Sequence, residues 1–364
     1  MTSAPVFSKG RDLDATAAVL APWLAGHLGV PRVEVGDFTY PRGAGVSNET
    51  ILFTARWPAG PASGGAERVE DLVLRVAPSP DYQLFLDPEF RMQYDLLAAL
   101  HRTGSVRVPE VLWFEEDGAL LDQPFFVMRR LQGQVPVSMP VYNAQGWLTE
   151  ATPAQRRTLW ESAVRQLAAI HLVPPDAVAF VDRPERGATG VEQQLAYWSD
   201  LASWALGDAL PDPVPALLDW LRDHAPAQPA PGLSWGDARI GNMMFGDDFE
   251  VVGVMDWEQA SLSGPLADLG WWLTFDDMHS VEVGVARLDG LGTRQETIDL
   301  WQDLTGHPAG DLHWHEVFAG CKAGLLALRS RDVLNIGGLG RTEDNPYLAR
   351  SCRLAGLPVP EDLP

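Results

Sequence analysis

The stretch LSWGDARIGNMMF, residues 233–245, places a carboxylate and a carboxamide five positions apart, at Asp237 and Asn242. A tight turn needs only one such side chain to bond its own backbone. The next apolar run, EVVGVMDWE, reaches an acid at Asp256, and the residues Gly-Asp-Asp separate the two runs. This pattern predicts a β-hairpin. Antiparallel pairing would bring Asn242 and Asp256 to one end of the hairpin, with Asp237 on the loop beside them.

These three side chains predict a site for a metal ion and a phosphate. Carboxylate and amide oxygens are ligands that Mg²⁺ prefers, and they suit Asn242 and Asp256. Phosphoryl transfer also needs a carboxylate that accepts the proton of the attacking hydroxyl, which suits Asp237. The alternative is that Asp237 and Asn242 are turn residues and that Asp256 caps a helix. The presence of all three at this spacing favours the metal and phosphate site.

Length and charge limit the class of protein. A chain of 364 residues predicts two domains or one large bilobal domain. The formal net charge of −22 argues against nucleic acid or an anionic membrane surface as a partner. Cys321 and Cys352 lack the spacing of a zinc site or a disulfide framework. The sequence shows no signal peptide and no apolar run able to span a bilayer, so we expect a cytoplasmic monomer or homodimer.

Strand patterns dominate the first third of the chain, and helix patterns dominate the rest. Runs rich in β-branched and aromatic residues occur at 33–40, 48–57, 70–77, 111–117 and 124–130. A helical pattern at 88–104 lies between the third and fourth runs. Beyond Gly133 the chain passes through a Pro-rich loop and becomes mainly helical. The fold class expected is therefore α+β, with a small antiparallel sheet and one helix followed by a helical lobe.

The segment WGDARIGNMMF…VVGVMDWEQASLSGPLADLGWWL closely resembles the aminoglycoside phosphotransferase and choline kinase-like superfamily. The resemblance covers roughly residues 30–330 and implies a bilobal, protein-kinase-like fold. It implies a nucleotide-binding lobe at residues 1–130, a hinge at about 127–133, and a catalytic and substrate-binding lobe at 134–364. The implied activity is transfer of the γ-phosphate of ATP, or of GTP, to an alcohol with the help of Mg²⁺.

The resemblance also assigns roles in the helical lobe. Asp237 would be the catalytic base, and Asn242 and Asp256 would bind Mg²⁺. Arg239 lies within reach of a transferring phosphate, although a loop-stabilising ion pair is an equal alternative. Asp268 would support the catalytic loop from the helix that follows.

In the first lobe, the resemblance assigns the nucleotide to a glycine-containing turn, a strand-end arginine, a helix and the inter-lobe segment. Arg75 stands where the fold usually has a lysine on the α- and β-phosphates, and Arg can bind phosphate in a bidentate manner. An ordinary hairpin turn and a surface arginine are the alternatives. The residues assigned in this way are Gly43, Gly45, Ser47, Asn48, Arg75, Glu89, Gln93, Met128 and Arg130.

Two departures from the family pattern leave a rival function open. Trp235 replaces a histidine, and we expect its indole to fill the space and donate one hydrogen bond. Gln93 stands where a glutamate usually pairs with the basic residue, so it cannot neutralise Arg75. These departures motivate the alternative of a catalytically weak or inactive nucleotide-binding protein. Nucleotidyl transfer on the same fold is a third hypothesis.

The acceptor is left open by the sequence. Relatives in the superfamily act on aminoglycosides, amino alcohols, sugars and hydroxyacyl thioesters. Asp276, Asp277 and Glu282 either favour a cationic aminoglycoside or simply face solvent.

Overall fold

The computed structural model describes residues 11–41, 47–58, 66–207, 210, 212–227, 229–310, 312–334 and 345–359. The chain divides into two compact units. Unit 1 comprises Met1–Gln83, Pro88–Ala98 and Pro109–Leu131, and unit 2 comprises the remaining residues. Unit 2 therefore includes two short segments, 84–87 and 99–108, from the first part of the sequence.

The described residues of unit 1 form five strands and two helices. In chain order, its elements are α1 (Leu13–Leu28), β1 (Glu34–Thr39), β2 (Glu49–Pro58), β3 (Glu67–Val76), α2 (Phe90–Thr103), β4 (Val111–Glu115) and β5 (Phe125–Arg129), with a 3₁₀ turn at Pro80–Tyr82. The strands form one antiparallel sheet with the order β1-β2-β3-β5-β4. The last residues of α2, from residue 99 onward, belong to unit 2.

One face of the sheet packs against α1. Alternate residues of β2, Ile51 and Phe53, share a buried cluster with Leu20 and Leu24 of the helix. Side chains alternate between the two faces along a strand, which explains this pattern. The sequence predicted only one helix in this region, and α1 is a second. Its apolar stripe contains Pro22, which weakens the helical pattern but does not prevent the helix.

The predicted helix, α2, packs with aromatic residues of the sheet. The ring of Phe90 lies 5.2 Å from that of Phe126, and the ring of Tyr94 lies 5.3 Å from that of Phe114. Phe126 alternates along β5 with Phe125, which belongs to the cluster beneath α1. The α+β fold class and the antiparallel sheet expected from the sequence are therefore confirmed.

Unit 2 is mainly helical, with one two-stranded hairpin. In chain order, its elements are α3 (Trp147–Glu150), α4 (Pro153–His171), α5 (Gly190–Leu206), α6 (Val214–Asp223), β6 (Met243–Phe245), β7 (Val251–Val254), α7 (Pro265–Met278), α8 (Arg294–Thr305), α9 (Leu312–Leu334) and α10 (Pro346–Ala355), with 3₁₀ turns at Pro175–Val181, Ile240–Asn242 and Val281–Val283.

The central helices of this unit are α7 and α9, which pack against each other, while α10 covers α9 and α8 packs on α4. Buried residues occur all around α7, including Leu269, Trp271, Trp272 and Leu273. A helix that is apolar on every side belongs in an interior. Among the described helices of both units, none has the length and hydropathy required to cross a membrane.

Candidate active site

The β6–β7 hairpin brings two of the predicted site residues to one end. Met243 pairs with Val254, and the backbone N–H of Met255 donates to the carbonyl oxygen of Asn242 at 3.0 Å. Asn242 therefore lies just before the first strand, and Asp256 follows the second. Asp256 has a φ of +64°, a left-handed conformation that Asp tolerates better than most residues do. The hairpin predicted from the sequence is confirmed.

Asp237 lies beside that end and accepts hydrogen bonds on both carboxylate oxygens. Asn242 Nδ2 donates to Oδ2 at 2.6 Å, and also to the backbone oxygen of Asp237 at 3.1 Å. Oδ1 accepts from Trp271 Nε1 at 2.8 Å and from Arg239 Nε at 3.1 Å. The carboxylate is 14% exposed. An acid held by donors on three sides has one fixed orientation, as a base for a specific hydroxyl requires.

The contact with Asp237 also fixes the amide of Asn242. A carboxylate only accepts hydrogen bonds, so the amide nitrogen must face it and Oδ1 must face away. Asn242 Oδ1 and the Asp256 carboxylate are hard oxygen donors of the kind that Mg²⁺ takes. The described residues contain no group of three or more His, Cys, Asp or Glu that could hold a metal.

Arg239 pairs with Asp237 and reaches a second segment of unit 2. Its Nη1 donates to Ser138 Oγ at 2.7 Å, and its guanidinium lies 5.7 Å from the ring centre of Phe275. Burial opposes the charge, but the attraction of Asp237, its hydrogen bond and the charge of Asp256 outweigh burial and raise the pKa of Arg239. The ion pair that was the alternative role of Arg239 is thus present. It also keeps a permanent cation beside the predicted base.

Asp268, at the start of α7, supports the loop that carries Asp237. Its carboxylate accepts from the Trp235 N–H at 2.6 Å, the Gly236 N–H at 2.8 Å and Ser234 Oγ at 2.8 Å. Gly236 has a φ of +95°, and a Cβ there would lie 2.2 Å from the backbone oxygen of Gln259. Only glycine fits this position without movement of the backbone. The supporting role expected for Asp268 is confirmed.

His171, which the sequence reasoning missed, is the fourth partner of Asp268. Its Nε2 lies 3.1 Å from Asp268 Oδ2, and Trp301 Nε1 lies 2.8 Å from its Nδ1. An indole N–H only donates, so Nδ1 accepts the hydrogen bond from Trp301. Nε2 therefore carries the ring proton and donates a hydrogen bond to Asp268. The two contacts select one tautomer of a buried histidine. No motif near residue 171 signals this role, because its partners lie on α7 and α8.

Trp235 fills the interior beneath the hairpin end. It is fully buried, and its Nε1 lies 2.8 Å from the backbone oxygen of Met255 and 3.1 Å from that of Asp256. The expectation that its indole fills the space and donates a hydrogen bond is confirmed. The indole thereby fixes the backbone of Asp256.

Trp271 and Lys322 extend the site into the helices. Trp271 lies at a buried apolar position of α7, yet its indole N–H contacts the carboxylate of Asp237 directly. The Lys322 ammonium lies 4.7 Å from the ring centre of Trp271. Burial lowers the pKa of Lys322 to about 8, although Asp268 and Asp237 favour its charged form.

A second buried histidine, His279, lies close to the Asp237 side of the site. Its ring is 5.3 Å from that of Tyr142 and 5.7 Å from that of Phe275. Burial and the charge of Arg239 lower the pKa of His279 to about 4, against the opposing effect of Asp237. Within the part of the chain that the structure describes, its Nδ1 has no hydrogen-bond partner.

The acids that might have favoured a cationic acceptor are already paired with arginines. Asp276 bonds Arg287, and Asp277 accepts from Arg350 Nη2 at 3.0 Å. Glu282 accepts from Arg353 Nη2 at 3.2 Å. These three carboxylates therefore do not form an uncompensated negative surface.

In unit 1, Arg75 and Gln93 are not hydrogen-bonded to each other. Gln93 Oε1 accepts from Asn48 Nδ2 at 3.5 Å, and its Nε2 donates to the Pro88 oxygen at 2.9 Å. Arg75 pairs across the sheet with Thr50 and Phe126, and its Nε is buried without a hydrogen-bond partner in the described structure. A partly buried cation with an unfilled donor suits an anionic ligand.

The other residues assigned to the nucleotide have mixed positions in unit 1. Ser47 is buried immediately before β2, and Glu89 precedes α2 with a φ of +44°. Met128 lies in β5, and the backbone N–H of Arg130 donates to Asp71 at 3.1 Å. Gly43 and Gly45 fall outside the described residues.

Comparison with known families agrees with this geometry. The model of the phosphotransferase enzyme family matches residues 41–304. The chain belongs to that family. The match includes Asp237, Asn242, Asp256 and Asp268, together with strands β2 to β5 of unit 1.

Solved structures share the fold at low sequence identity. A Ralstonia eutropha protein with a provisional aminoglycoside phosphotransferase name matches with a TM-score of 0.65 and 21% identity, over 95% of this chain and 98% of that one. A thermostable mutant of aminoglycoside phosphotransferase APH(4)-Ia, in complex with AMP-PNP and hygromycin B, matches with a TM-score of 0.54 and 15% identity. That match covers 93% of this chain and 96% of that one. These likenesses establish a kinase-like fold.

Curated relatives carry a different name. A probable acyl-CoA dehydrogenase of Arabidopsis thaliana, IBR3, is 26% identical over 237 residues, which is 63% of this chain and 27% of that protein. The chain thus spans about a quarter of the length of this relative.

Proposed function

We propose that this protein is an ATP-dependent O-phosphotransferase that moves the γ-phosphate to the hydroxyl of a small molecule. The observation that carries the proposal is the fixed orientation of the Asp237 carboxylate between Asn242 Nδ2, Trp271 Nε1 and Arg239 Nε. Membership of the phosphotransferase enzyme family supports it. GTP is the alternative donor.

Asp237, Arg239 and Arg75 have separate roles in the proposed phosphoryl transfer. The acceptor oxygen forms a bond to the γ-phosphorus while the bond from that phosphorus to the β,γ-bridging oxygen breaks, and the hydroxyl proton passes to Asp237. Arg239 is the cation nearest to Asp237 and is placed to offset negative charge on the transferring group. In unit 1, Arg75 is the candidate ligand for the α- and β-phosphates.

Asn242 and Asp256 are the candidate ligands for Mg²⁺. When bound, the ion supplies neutralisation of phosphate charge. The protein contributes by fixing both donors: Asp237 turns the Asn242 amide, and Trp235 holds the backbone of Asp256.

For the acceptor, we favour a hydroxyacyl thioester over an aminoglycoside. The acids that would have attracted a polycation are paired with Arg287, Arg350 and Arg353. Relatives named as acyl-CoA dehydrogenases carry a segment similar to this chain, and their name indicates an acyl thioester substrate. An alcohol on the same acyl chain is an acceptor that such a pair of activities could share.

The test is Mg²⁺-dependent ATP turnover by purified protein. Four acceptor classes are compared: hydroxyacyl-CoAs, aminoglycosides, amino alcohols and sugars. The key variant is Asp237→Asn, and the control is Asp219→Asn, which alters an exposed aspartate paired with Arg222 on α6. We expect turnover with hydroxyacyl-CoAs that Asp237→Asn abolishes and Asp219→Asn retains.

Each result has a definite meaning. Turnover with another class alone would overturn the acceptor while the phosphotransferase stands. Mg²⁺-ATP binding without turnover of any class would favour the inactive nucleotide-binding alternative. Transfer of a nucleotidyl group, detected by mass spectrometry of the product, would replace the proposed reaction.

A further inference from the structure

The ammonium group of Lys322 is buried in unit 2 without an acidic partner. Lys322 lies on α9, is 7% exposed, and has three rings around it: Trp271 at 4.7 Å, Trp198 at 5.1 Å and Phe318 at 5.8 Å. No hydrogen bond or ion pair joins its ammonium to any residue that the structure describes. Burial of a charge without an anion is costly.

The other buried cations around α7 and α9 are paired differently. Arg239 bonds Asp237, and Arg350 bonds both Asp277 and Glu316. Lys322 makes no direct ion pair with the described residues: Asp268 and Asp237 attract its charge only from beyond ion-pair distance, and the faces of aromatic rings attract a cation less strongly than burial penalises it. The lowered pKa of Lys322 has the same cause, since burial disfavours the charged form. Stability alone therefore does not explain a lysine at this position.

Trp271 connects Lys322 to the predicted base. One face of the indole lies under the ammonium, and the N–H on its edge donates to Asp237 Oδ1 at 2.8 Å. The ring is 2% exposed and stacks on Phe275 at 4.7 Å, so it cannot turn freely. A cation over the ring draws electron density from the indole and makes its N–H a stronger donor.

We propose that Lys322 is a positioning residue for phosphoryl transfer, whose charge acts through Trp271 to hold the Asp237 carboxylate in its reactive orientation. This inference rests on the proposed function. It accounts for the buried cation, for the aromatic cage and for the direct contact between Trp271 and Asp237.

A double-mutant cycle tests the proposal. Lys322→Met keeps the length of the side chain and removes the charge, while Trp271→Phe keeps a ring and removes the N–H. We expect Lys322→Met to lower kcat by about tenfold to 100-fold, the usual cost of losing support for a catalytic group. The KM values for ATP and for the acceptor should not rise, and the midpoint of thermal unfolding should not fall. Lys322→Arg should restore kcat, and the double variant should be no slower than Trp271→Phe.

A spectroscopic readout removes the dependence on turnover. The indole N–H proton resonance of Trp271 is identified by its loss in Trp271→Phe. We expect this resonance to move in Lys322→Met and to stay close to its original position in Lys322→Arg. If Lys322→Met does not fold, Lys322→Gln serves in its place.

A matched control is available on the same helix. Arg329 lies over the ring of Trp204 at 4.2 Å, so Arg329→Met removes a cation–aromatic pair of the same helix that does not include Trp271. It should change neither kcat nor the resonance.

Several outcomes would overturn the proposal: an unchanged kcat in Lys322→Met, additive losses in the double variant, or a fixed Trp271 resonance. A raised acceptor KM at constant kcat would do so as well, because Lys322 would then bind the acceptor. Absence of turnover in the unmodified protein would instead overturn the proposed function, and the resonance would still decide whether Lys322 acts on Trp271.

Discussion

Asp237 and Asp268 serve the same loop of unit 2, and their surroundings differ in kind. Asp268 is 1% exposed and accepts from two backbone N–H groups, a serine and a histidine. Asp237 is 14% exposed and is held by the side chains of an arginine, an asparagine and a tryptophan. Backbone donors stay where the fold puts them, whereas side-chain donors can rearrange around a substrate. Asp268 therefore stabilises the backbone of the loop, whereas Asp237 is the acid that the loop positions for a substrate.

The sharpest test of this difference is the pair of substitutions Asp237→Asn and Asp268→Asn. We expect Asp237→Asn to lower kcat by about 10²- to 10⁴-fold, the range for loss of a general base. Its free energy of unfolding should fall less than that of Asp268→Asn, because the partners of Asp237 are side chains that can rearrange rather than backbone groups fixed by the fold. Steady-state kinetics and urea denaturation of the same preparations measure both quantities. A large loss of stability would mean that Asp237 is also structural.

Asp268→Asn should reduce the stability of the protein much more than its intrinsic activity. An amide cannot accept from four donors as a carboxylate does, and removing one partner of a buried charged network costs about 3–5 kcal/mol of unfolding free energy. We expect the denaturation midpoint to fall sharply, with any loss of activity following the loss of folded protein. An unchanged midpoint would contradict the role assigned to Asp268.

His171 and His279 extend the contrast to the pH dependence of stability. His171 has both ring nitrogens bonded, while His279 has an Nδ1 without a partner in the described structure. The pKa of His279 is lowered from 6.5 to about 4. Between those values the unfolded chain binds a proton that the folded chain does not, so stability falls as the pH is lowered, by up to about 3 kcal/mol.

Urea denaturation between about pH 7 and pH 5 measures this effect, which His279→Gln should reduce. The exposed His101 supplies the control, since His101→Gln should leave the pH dependence of stability as it is. An equal slope in the protein and in His279→Gln would show that other groups cause the acid sensitivity.

The smallest effect is expected at Ser138. Its Oγ accepts from Arg239 Nη1 at 2.7 Å, and a neutral hydroxyl partner is worth about 1 kcal/mol. Ser138→Ala should therefore lower kcat about two- to tenfold through looser placement of Arg239, with a loss of about 1 kcal/mol of unfolding free energy. A loss as large as that of Asp237→Asn would mean that Ser138 itself contacts the substrate.

The sequence predicted the parts of the molecule whose signals are local. Runs rich in β-branched and aromatic residues identified the strands of the sheet, and the hairpin that joins Asn242 to Asp256 followed from two short runs and a turn. Asp268 could be assigned because the family resemblance extends through PLADLGWW. Helix α1 was missed because Pro22 and two glycines interrupt its pattern, although its buried leucines pack well on the sheet.

Contacts between distant segments could not be predicted in this way. His171 on α4 contacts Asp268 on α7, and Trp301 on α8 donates to His171. These segments are far apart in sequence, and nothing near His171 or Trp301 marks the contacts. Trp271 looked like any apolar helix residue, because spacing shows which side of a helix is buried but not what its N–H will meet. The pairing of Asp276, Asp277 and Glu282 with arginines depends on tertiary structure in the same way.

The left-handed backbone of Asp256 bears on how this protein can change over evolutionary time. Asn tolerates the conformation as well as Asp does, whereas most other residues would be strained there. A single base change converts an aspartate codon into an asparagine codon. The resulting protein would keep the shape of the hairpin and would lose one negative charge from the proposed Mg²⁺ site. Under the proposed function, one nucleotide change at this position would be enough to turn a phosphotransferase into a folded protein with a weakened metal site.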